Sequence, residues 1–470
     1  GTFTMYGGSI NNNKAPNGSG GAISVENGTI NTHGGEMNGN SAINGGAIHL
    51  KDNTEGKICN IKADSNAATR TGGAIYTETR GIIEFRDIEL SKNRANLGGG
   101  IYLKFAANNI HAHIDNANIH DNSASGNGGG IYLDGNKCSN PATNINCSNI
   151  CNNTSGSDGG GIFAGQGTML NLRDGSVSNN TCAAGGGGGI RAASDTQVMI
   201  SKGENPFYIK GNTADLGGGI SPSGDSFVVN GSCIIEENTA RKAGGGVYID
   251  YIRTWCIFNS ATITKNKSPQ GGGICLNKKN DYGKVLEISE GTTIIGNTSS
   301  ENDLPSNLYL MNGSTFQFRR GLTGTEKIGV SVNKTPTLSE PVYIEYVFDE
   351  QWHAPLGDRS NLIIPDNDNY RVIYKNNMHW LFPKAPLLTL TTEKLSVSDL
   401  DRTATVYVAS YNGDRLIDIK SKTLESAEYI AFEIAAFGLN TTGATKMKAF
   451  LWDSNIIPQC HSASAELSEN

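Results

Sequence analysis

Hydrophobic residues recur at a regular spacing along the first two thirds of the chain. Ten of them, each an isoleucine or valine, follow a cluster of glycines that ends in glycine or alanine, and successive ones lie 25 to 31 residues apart. They are Ile23, Ile48, Ile75, Ile101, Ile131, Ile162, Ile190, Ile220, Val247 and Ile274. A period this regular predicts stacked repeats of one structural unit.

The unit from Gly159 to Gly187 shows what each repeat contains. Short runs with apolar residues at alternate positions cover Ile162–Ala164, Met169–Leu172 and Ser176–Ser178, and glycine, asparagine or aspartate bounds them. This alternation favours β-strands, and the unit lacks the 3.6-residue period of an amphipathic helix. Three short strands in each repeat predict an all-β fold, a parallel β-helix whose coils stack about 4.8 Å apart.

A column of polar residues precedes the glycine clusters. An apolar residue, two spacers, an asparagine, one spacer and usually a small residue follow one another there, and only the coil near Asp64 lacks the pattern. The asparagines are Asn13, Asn40, Asn93, Asn122, Asn153, Asn180, Asn212, Asn238, Asn266 and Asn297. In register, their amides can bond to one another along the axis. Recurrence in nearly every coil favours this structural role over the alternative, binding of calcium or sugar.

The residue after the repeated isoleucine points to the opposite face of its strand, which we expect to be the outer face. Five coils carry an aromatic residue at this position, namely Tyr76, Tyr102, Tyr132, Phe163 and Tyr248. Two interpretations stay open. The rings form an exposed column that stacks on sugars or binds protein, or they form a cross-coil ladder that stabilises the sheet.

The glycine cluster does not return after Asn297, so we expect both columns to end there. Irregular strand-like runs follow at Leu308–Leu310, Thr315–Phe318, Ile328–Val332, Val342–Phe348 and Tyr370–Phe382. We expect them to close the end of the solenoid, because its last coil would otherwise expose unpaired strand edges.

The composition changes again near residue 384, where glycine becomes scarce and the alternating runs become longer. These runs and the Asn412-Gly413-Asp414 hairpin turn predict a small β-sandwich. The predicted domains are a parallel β-helix (1–320), a C-terminal cap with an irregular β extension (321–383), an immunoglobulin- or fibronectin-III-like sandwich (384–460) and a polar tail (461–470).

Charge and cysteine content narrow the range of partners. The net charge is -7 and no basic run of five residues occurs, which argues against nucleic acid. No apolar stretch approaches the ~20 residues of a membrane span, so we expect no membrane insertion in this segment. The nine cysteines form no Cys-x-x-Cys pair, and we expect neither a metal site nor a cofactor. Most cysteines are expected to be buried fillers, although Cys138, Cys147 and Cys151 are close enough for one local disulfide.

The GGGIY and Asn-x-Ala coil, with the opening GTFTMYGGSI, resembles the right-handed parallel β-helix repeats of large bacterial surface proteins, including adhesin-like proteins of anaerobic gut and oral bacteria. Chlamydial polymorphic membrane proteins carry a related repeat with Phe-x-x-Asn. The run SNLYL…GLTGTEKIGVSV resembles the usual end of such helices. The run ATVYVASYNGDRLIDIKS…GATKMKAFLWDS resembles a small β-sandwich module of secreted proteins from clostridia-like Firmicutes. The resemblance implies a secreted or cell-surface, bacterial protein that acts in attachment or display.

We therefore expect a non-catalytic adhesin or display stalk whose lateral faces make repeated contacts with a host or environmental glycan or protein. A chain that opens inside a repeat is expected to be a piece of a longer protein, and its exposed first coil favours end-to-end self-association.

The alternative is a secreted polysaccharide-active enzyme, a lyase or a glycoside hydrolase, since parallel β-helices host both by family association. Such a site needs paired carboxylates, or a calcium site with a nearby base. The candidate acids form two alternative groups, which are Asp115, Asp121 and Asp134, or Glu236, Glu237 and Asp250 with Arg253. The histidines His111, His113 and His120 cluster near Asp115 and Asp121 in the sequence and are candidates for a metal or acid–base site.

Overall fold

The computed structural model describes residues 1–106, 111–135, 141–250, 252–277, 286–319, 321–337, 340–346, 357–384, 386–400, 403–425, 427–452 and 462–467. The chain divides into two compact units. The first unit comprises Gly1–Thr335, Tyr343–Asn367 and Val372–Trp380, and the second comprises Pro336–Val342, Asp368–Arg371 and Leu381–Asn470.

The first unit is a parallel β-solenoid of about 12 turns, as the repeat predicts. Each full turn passes through four strand positions, and the strands at each position pair in parallel with those of the neighbouring turns. Three positions belong to one 34-stranded sheet, and the fourth forms a separate 11-stranded sheet. The repeat pattern predicts the first three strand positions. The structure contains a fourth position that the pattern does not predict.

The first position is the isoleucine ladder, in which the repeated isoleucines pair directly, as Ile75 does with Ile48 and Ile101. Its strands are Ile23–Glu26, Ile48–Asp52, Ile75–Thr79, Ile101–Phe105, Ile131–Asp134, Ile162–Ala164, Ile190–Ala192, Ile220–Pro222, Val247–Ile249, Ile274–Leu276 and Leu308–Leu310.

The second ladder begins at Thr2–Met5 and the third at Gly35–Glu36. Strands of the second ladder are Thr2–Met5, Thr29–Thr32, Glu55–Cys59, Ile83–Arg86, His111–Asp115, Gln197–Ser201, Leu286–Ile288, Phe316–Phe318 and Val342–Tyr346. Strands of the third are Gly35–Glu36, Ile61–Asp64, Glu89–Ser91, Asn118–His120, Phe207–Lys210, Thr293–Ile294, Lys327–Val332 and Ile363–Pro365. Four long strands serve both ladders, namely Ala142–Cys151, Met169–Ser178, Ser226–Glu236 and Trp255–Thr264.

The fourth ladder follows the asparagine column and carries the small residues. Most of its strands have only two residues. They are Lys14–Ala15, Ser41–Asn44, Ala67–Thr71, Arg94–Ala95, Ser123–Ala124, Thr154–Ser155, Thr181–Cys182, Thr213–Leu216, Thr239–Ala243, Lys267–Ser268 and Thr298–Ser299.

Inward-facing apolar side chains fill the solenoid. Leu50, Ile75 and Phe85 have no exposed surface, and burying one such side chain contributes roughly 1.5–3 kcal/mol. The glycine clusters form a corner where neighbouring coils approach closely. Gly98 has a φ of 64°, and a Cβ atom on Gly99 would lie 2.3 Å from the carbonyl oxygen of Gly129. Only glycine fits both requirements.

The C-terminal cap consists of Lys327–Val332, Val342–Tyr346 and Ile363–Pro365. Lys327–Val332 pairs with Thr293–Ile294 through Ile328 and with Leu308–Leu310 through Val330, so one strand joins the third ladder to the isoleucine ladder. Ile363–Pro365 then pairs with this strand and ends the third ladder.

Two details of this region differ from the predicted runs. The predicted strand 370–382 is two strands, Tyr370–Lys375 and Met378–Pro383, because Asn376 and Asn377 between them both have positive φ. A short 3-10 turn covers Ser360–Leu362, and Phe348 lies outside the described residues.

The second unit contains two antiparallel sheets, an arrangement compatible with the predicted small β-sandwich. Leu387–Leu390, Lys394–Leu400 and Ala427–Glu433 form one sheet, and Ala404–Asn412, Arg415–Leu424, Lys446–Trp452 and Ala463–Glu466 form the other. A 3-10 turn covers Ile434–Phe437, and Asn412 pairs with Arg415 across the predicted hairpin turn. The segment expected to be a polar tail contains a strand, since Ala463–Glu466 pairs with Lys446–Trp452. None of the helical turns among the described residues is long and apolar enough to cross a membrane.

Candidate lateral binding surface

The asparagine column is one continuous hydrogen-bonded chain of side-chain amides. In each step the Nδ2 of one asparagine donates to the Oδ1 of the next, at distances of 2.9 to 3.1 Å. Its members are Asn13, Asn40, Asn66, Asn93, Asn122, Asn153, Asn180, Asn212, Asn238, Asn266, Asn297 and Asn307.

Asn153 shows how completely these amides are used. Its backbone N–H and Nδ2 donate to Oδ1 of Asn180 at 2.9 and 3.0 Å, and Nδ2 also donates to the carbonyl oxygen of Ile119 at 2.8 Å. Its Oδ1 accepts from the backbone N–H and Nδ2 of Asn122 at 2.9 and 3.0 Å. Both amide hydrogens and both oxygen lone pairs are therefore occupied, so a ligand would have to break the column to bind there.

Two asparagines of the column were not predicted. Asn66 occupies the coil near Asp64, where Ala63 takes the place of the usual isoleucine, valine or leucine. Asn307 continues the column beyond Asn297, so the expectation that it ends after Asn297 is wrong. The ten residues between Asn297 and Asn307 are much shorter than a repeat, so periodicity does not reveal the last member.

Four of the five predicted aromatic residues stack on one another along the outside of the isoleucine ladder. Ring centroids are 5.4 Å apart for Tyr76 and Tyr102, 4.8 Å for Tyr102 and Tyr132, and 4.8 Å for Tyr132 and Phe163. His49 extends the aromatic column, with its ring 5.3 Å from that of Tyr76. The neighbouring coil carries Arg191, which ends the stack.

The expectation that this aromatic column is exposed is wrong for most of its rings. Tyr76, Tyr102 and Phe163 retain only 7–8% of their surface, because each ring face is covered by the ring of the next coil. Burial raises the pKa of Tyr102, and its hydrogen bond to Asp134 adds to the shift. Tyr248 lies apart from the stack, and its hydroxyl accepts from Nδ2 of Asn277 at 2.9 Å. Ligand binding by these residues stays a prediction.

Three of the candidate acids lie in different places with different partners. Asp115 accepts from Nδ2 of Asn146 at 2.8 Å. Asp134, on the isoleucine ladder, accepts from the hydroxyl of Tyr102 at 2.7 Å. Asp121 follows the third ladder and lies 2.7 Å from Nδ1 of His120. The fold therefore does not gather them into one site.

The second group of candidates also separates. Glu236 and Glu237 share Lys210, at 2.8 and 3.2 Å from its Nζ. Asp250 accepts from Nδ2 of Asn277 at 2.9 Å. Arg253 belongs to a different ion-pair group, in which it contacts Asp225 at 2.8 Å and Asp195 at 3.0 Å.

The histidines do not converge either. His113 and His111 lie on a strand of the second ladder, whereas His120 lies on the third. His111 borders a small surface depression together with Lys104 and Phe105. Within the described ranges, no group of three or more histidine, cysteine, aspartate or glutamate side chains is arranged to hold a metal ion.

The seven described cysteines are free thiols. Cys182, Cys233, Cys256 and Cys275 are buried fillers, as predicted, and burial raises the pKa of Cys233 to about 12. Cys147 and Cys151, which with Cys138 are close enough in the sequence for one local disulfide, are both free thiols. Cys138 and Cys460 lie outside the described residues.

The structure shows a lateral surface that was not predicted, which we call the Met199 face. It comprises the outward side chains of three adjacent second-ladder strands, Gln197, Met199, Val228, Trp255 and Ile257. Met199 pairs in register with Val228 and Val228 with Ile257. Met199 is 41% and Trp255 42% exposed, whereas Ile257 is nearly buried. In these strands both the inward and the outward positions carry apolar residues. This run of consecutive apolar residues is the feature of the sequence that indicates an apolar outer face.

Planar polar side chains border the Met199 face at the preceding corner. Arg253 bridges Asp195 and Asp225, Nε2 of Gln166 donates to Asp195 at 3.0 Å, and Nε2 of Gln197 lies 3.4 Å from Asp225. An exposed indole beside carboxylate, guanidinium and amide groups combines an apolar surface with several hydrogen-bonding groups.

No protein-family model and no curated protein matches the sequence of this chain. The geometry of its own residues therefore carries the functional proposal.

Proposed function

We propose that this chain is a non-catalytic, β-helical display and adhesion protein of the bacterial cell surface or of the secreted fraction, and that it binds glycan or protein through its lateral faces. The observation that carries the proposal is the direct register of neighbouring coils. Equivalent outward side chains stack in rows about 4.8 Å apart, so about 12 turns present roughly 55 Å of repeated surface.

The Met199 face is the place where we expect such contacts. Aromatic residues and methionine are enriched where proteins bind one another, and an exposed aromatic ring beside hydrogen-bonding groups also suits the face of a sugar ring. A single contact of this kind is weak, and repetition along an extended surface raises the overall affinity. The second unit is proposed to be an immunoglobulin- or fibronectin-III-like module of the same secreted protein.

The separation of the candidate acids makes the alternative, a polysaccharide lyase or glycoside hydrolase, the weaker proposal. Glycoside hydrolysis needs two carboxyl groups roughly 5–10 Å apart around one bond. Asp115, Asp134 and Glu236 are instead engaged with Asn146, Tyr102 and Lys210.

A binding and turnover assay on a glycan and host-protein panel tests the proposal. We expect binding without release of reducing ends or unsaturated products, and we expect Trp255→Ala to weaken binding roughly tenfold, the loss of a contact worth about 1.4 kcal/mol. Tyr208→Ala is the matched control, because Tyr208 is similarly exposed at 37% but lies on the third ladder. Turnover that disappears in Asp115→Ala or Asp134→Ala would overturn the proposal in favour of an enzyme.

A further inference from the structure

The asparagine column has a direction. At every step the acceptor oxygen belongs to the later coil and the donor nitrogen to the earlier one, as for Asn266 and Asn297. The last asparagine, Asn307, therefore has its backbone N–H and its Nδ2 left to donate. Groups of this kind are costly to bury without an acceptor.

Asp366 receives both of these donors at the edge of the C-terminal cap. Its Oδ1 accepts from Nδ2 of Asn307 at 2.6 Å and its Oδ2 accepts from the backbone N–H of Asn307 at 2.7 Å. Oδ2 also accepts from the hydroxyl of Ser331. Gly329 makes room for this arrangement, since a Cβ there would lie 2.3 Å from Nδ2 of Asn307 and 2.6 Å from Oδ1 of Asp366.

An aspartate suits the end of the column for a chemical reason. An asparagine would accept the same two donors, but its own amide would then need another acceptor. A carboxylate only accepts hydrogen bonds, and a protonated carboxyl group has a single O–H donor that needs an acceptor. The hydroxyl of Ser331 can take that hydrogen, because a serine oxygen donates or accepts by rotating its hydrogen.

We propose that Asp366 is a pH-responsive terminator of the asparagine column, which holds the C-terminal cap more tightly as the solution becomes more acidic. Among the described residues, the groups that the structure places against its side chain are neutral, namely Asn307 before the last strand of the isoleucine ladder and Gly329 and Ser331 on Lys327–Val332. Its own backbone N–H donates to the carbonyl oxygen of Val330 at 2.9 Å. No countercharge among these groups holds the carboxyl group ionised.

The direction of the effect follows from burial. Burial raises the pKa of Asp366 above its ordinary value of 3.8, although the bonds from Ser331 and Asn307 act in the opposite sense. The folded cap therefore binds the proton more tightly than the unfolded chain does. The stability of the cap rises as the pH falls through the raised pKa, and the gain is complete below 3.8.

Amide hydrogen exchange of the full chain between pH 7 and pH 4, corrected for the intrinsic exchange rates, tests the proposal. The variant Asp366→Asn does not titrate, and both proteins share all other acids. We expect local opening of Lys327–Val332 and Ile363–Pro365 to become rarer in acid in the wild type relative to Asp366→Asn, by at most tenfold for each unit of upward pKa shift.

A ratio between the two proteins that stays constant with pH, or that changes in the opposite direction, overturns the proposal. Should Asp366→Asn disturb the cap itself, carboxyl carbon NMR of the wild-type protein decides the matter. An Asp366 that titrates at or below 3.8 then overturns the proposal.

Discussion

The asparagine column and the aromatic column run along the same solenoid, and both repeat once per coil. The asparagine column is buried from Asn40 to Asn297, and in Asn153 every side-chain amide donor and acceptor has a partner. The aromatic column lies outside the sheet, where stacked faces cover most of each ring. The hydrogen bonds of the asparagine column need a donor nitrogen and an acceptor oxygen at fixed positions in every coil. Ring stacking is less demanding, because histidine (His49), tyrosine or phenylalanine can each supply the ring.

This difference explains why the two columns differ in length. The amide column has an asparagine at all twelve of its positions. A single missing donor or acceptor would leave several buried groups unpaired. The aromatic column ends at Arg191 after five rings, because losing one ring removes contacts but strands no polar group. The outer surface is consequently the part of the coil whose residues have the most freedom to vary.

The largest effect is expected for Asn153→Asp. This change replaces Nδ2, which donates to Oδ1 of Asn180 and to the carbonyl oxygen of Ile119, by an oxygen that faces both acceptors. We therefore expect the free energy of unfolding to fall by roughly 3–5 kcal/mol. Hydrogen exchange of the adjacent strands Thr154–Ser155 and Thr181–Cys182 measures the local loss. Asn171→Asp is the control, because Asn171 makes an outward bond of 2.9 Å to Asn144, and its loss should stay within about 1 kcal/mol. Equal losses for the two variants would contradict the comparison.

A smaller effect is expected for Tyr102→Ala, which removes a ring stacked on both sides. We expect a loss of roughly 2–4 kcal/mol, slightly below the range for a core aromatic side chain because this ring lies on the outer face of the sheet. Urea denaturation measures it against Tyr208→Ala, whose exposed ring should contribute less than about 1 kcal/mol. A loss for Tyr102→Ala no greater than for Tyr208→Ala would show that the stack does not stabilise the sheet.

The smallest effect is expected for Tyr102→Phe, which keeps the stack and removes only the hydrogen bond to Asp134. The expected cost is about 1–2 kcal/mol at neutral pH. Because the pKa of Tyr102 is raised from 10.0 by burial and by this bond, the unfolded chain loses its proton first, and stability falls as the pH rises above 10. Denaturation midpoints at pH 8 and pH 11 should therefore differ less in Tyr102→Phe than in the wild type. An unchanged alkaline loss in the variant would place the titrating group elsewhere.

The sequence predicts the parts of the fold that repeat. Alternating short runs and the glycine clusters predict the parallel coil, and the regular spacing of Ile75 and Ile101 predicts the direct register that the structure shows. The two-residue strands of the fourth ladder, such as Thr154–Ser155, are too short to display any alternation. Asp366 is invisible to periodicity, since the residues that bind it lie 35 and 59 positions earlier in the chain.

The burial of the aromatic column shows that alternation along a strand predicts the direction of a side chain but not its exposure. Alternation correctly places Tyr76 and Tyr102 outside the sheet, but an outward residue is exposed only if its neighbours leave it uncovered. Rings about 5 Å apart leave no room for solvent between their faces. Alternation does not reveal the Met199 face, because the outward-facing Val228 lies between Phe227 and Val229, which are apolar and fully buried.

Each asparagine in the middle of the column donates two hydrogen bonds to the next coil and accepts two from the previous one. This equivalence affects how the gene can change. A block that begins and ends at equivalent asparagines, such as the residues between Asn122 and Asn153, can be duplicated or lost by recombination and still leave matching ends at the junction. Asp366 would close the column after any number of such blocks. Homologous genes should therefore differ in length by whole coils, so that the solenoid becomes longer or shorter without any change in how one coil packs on the next.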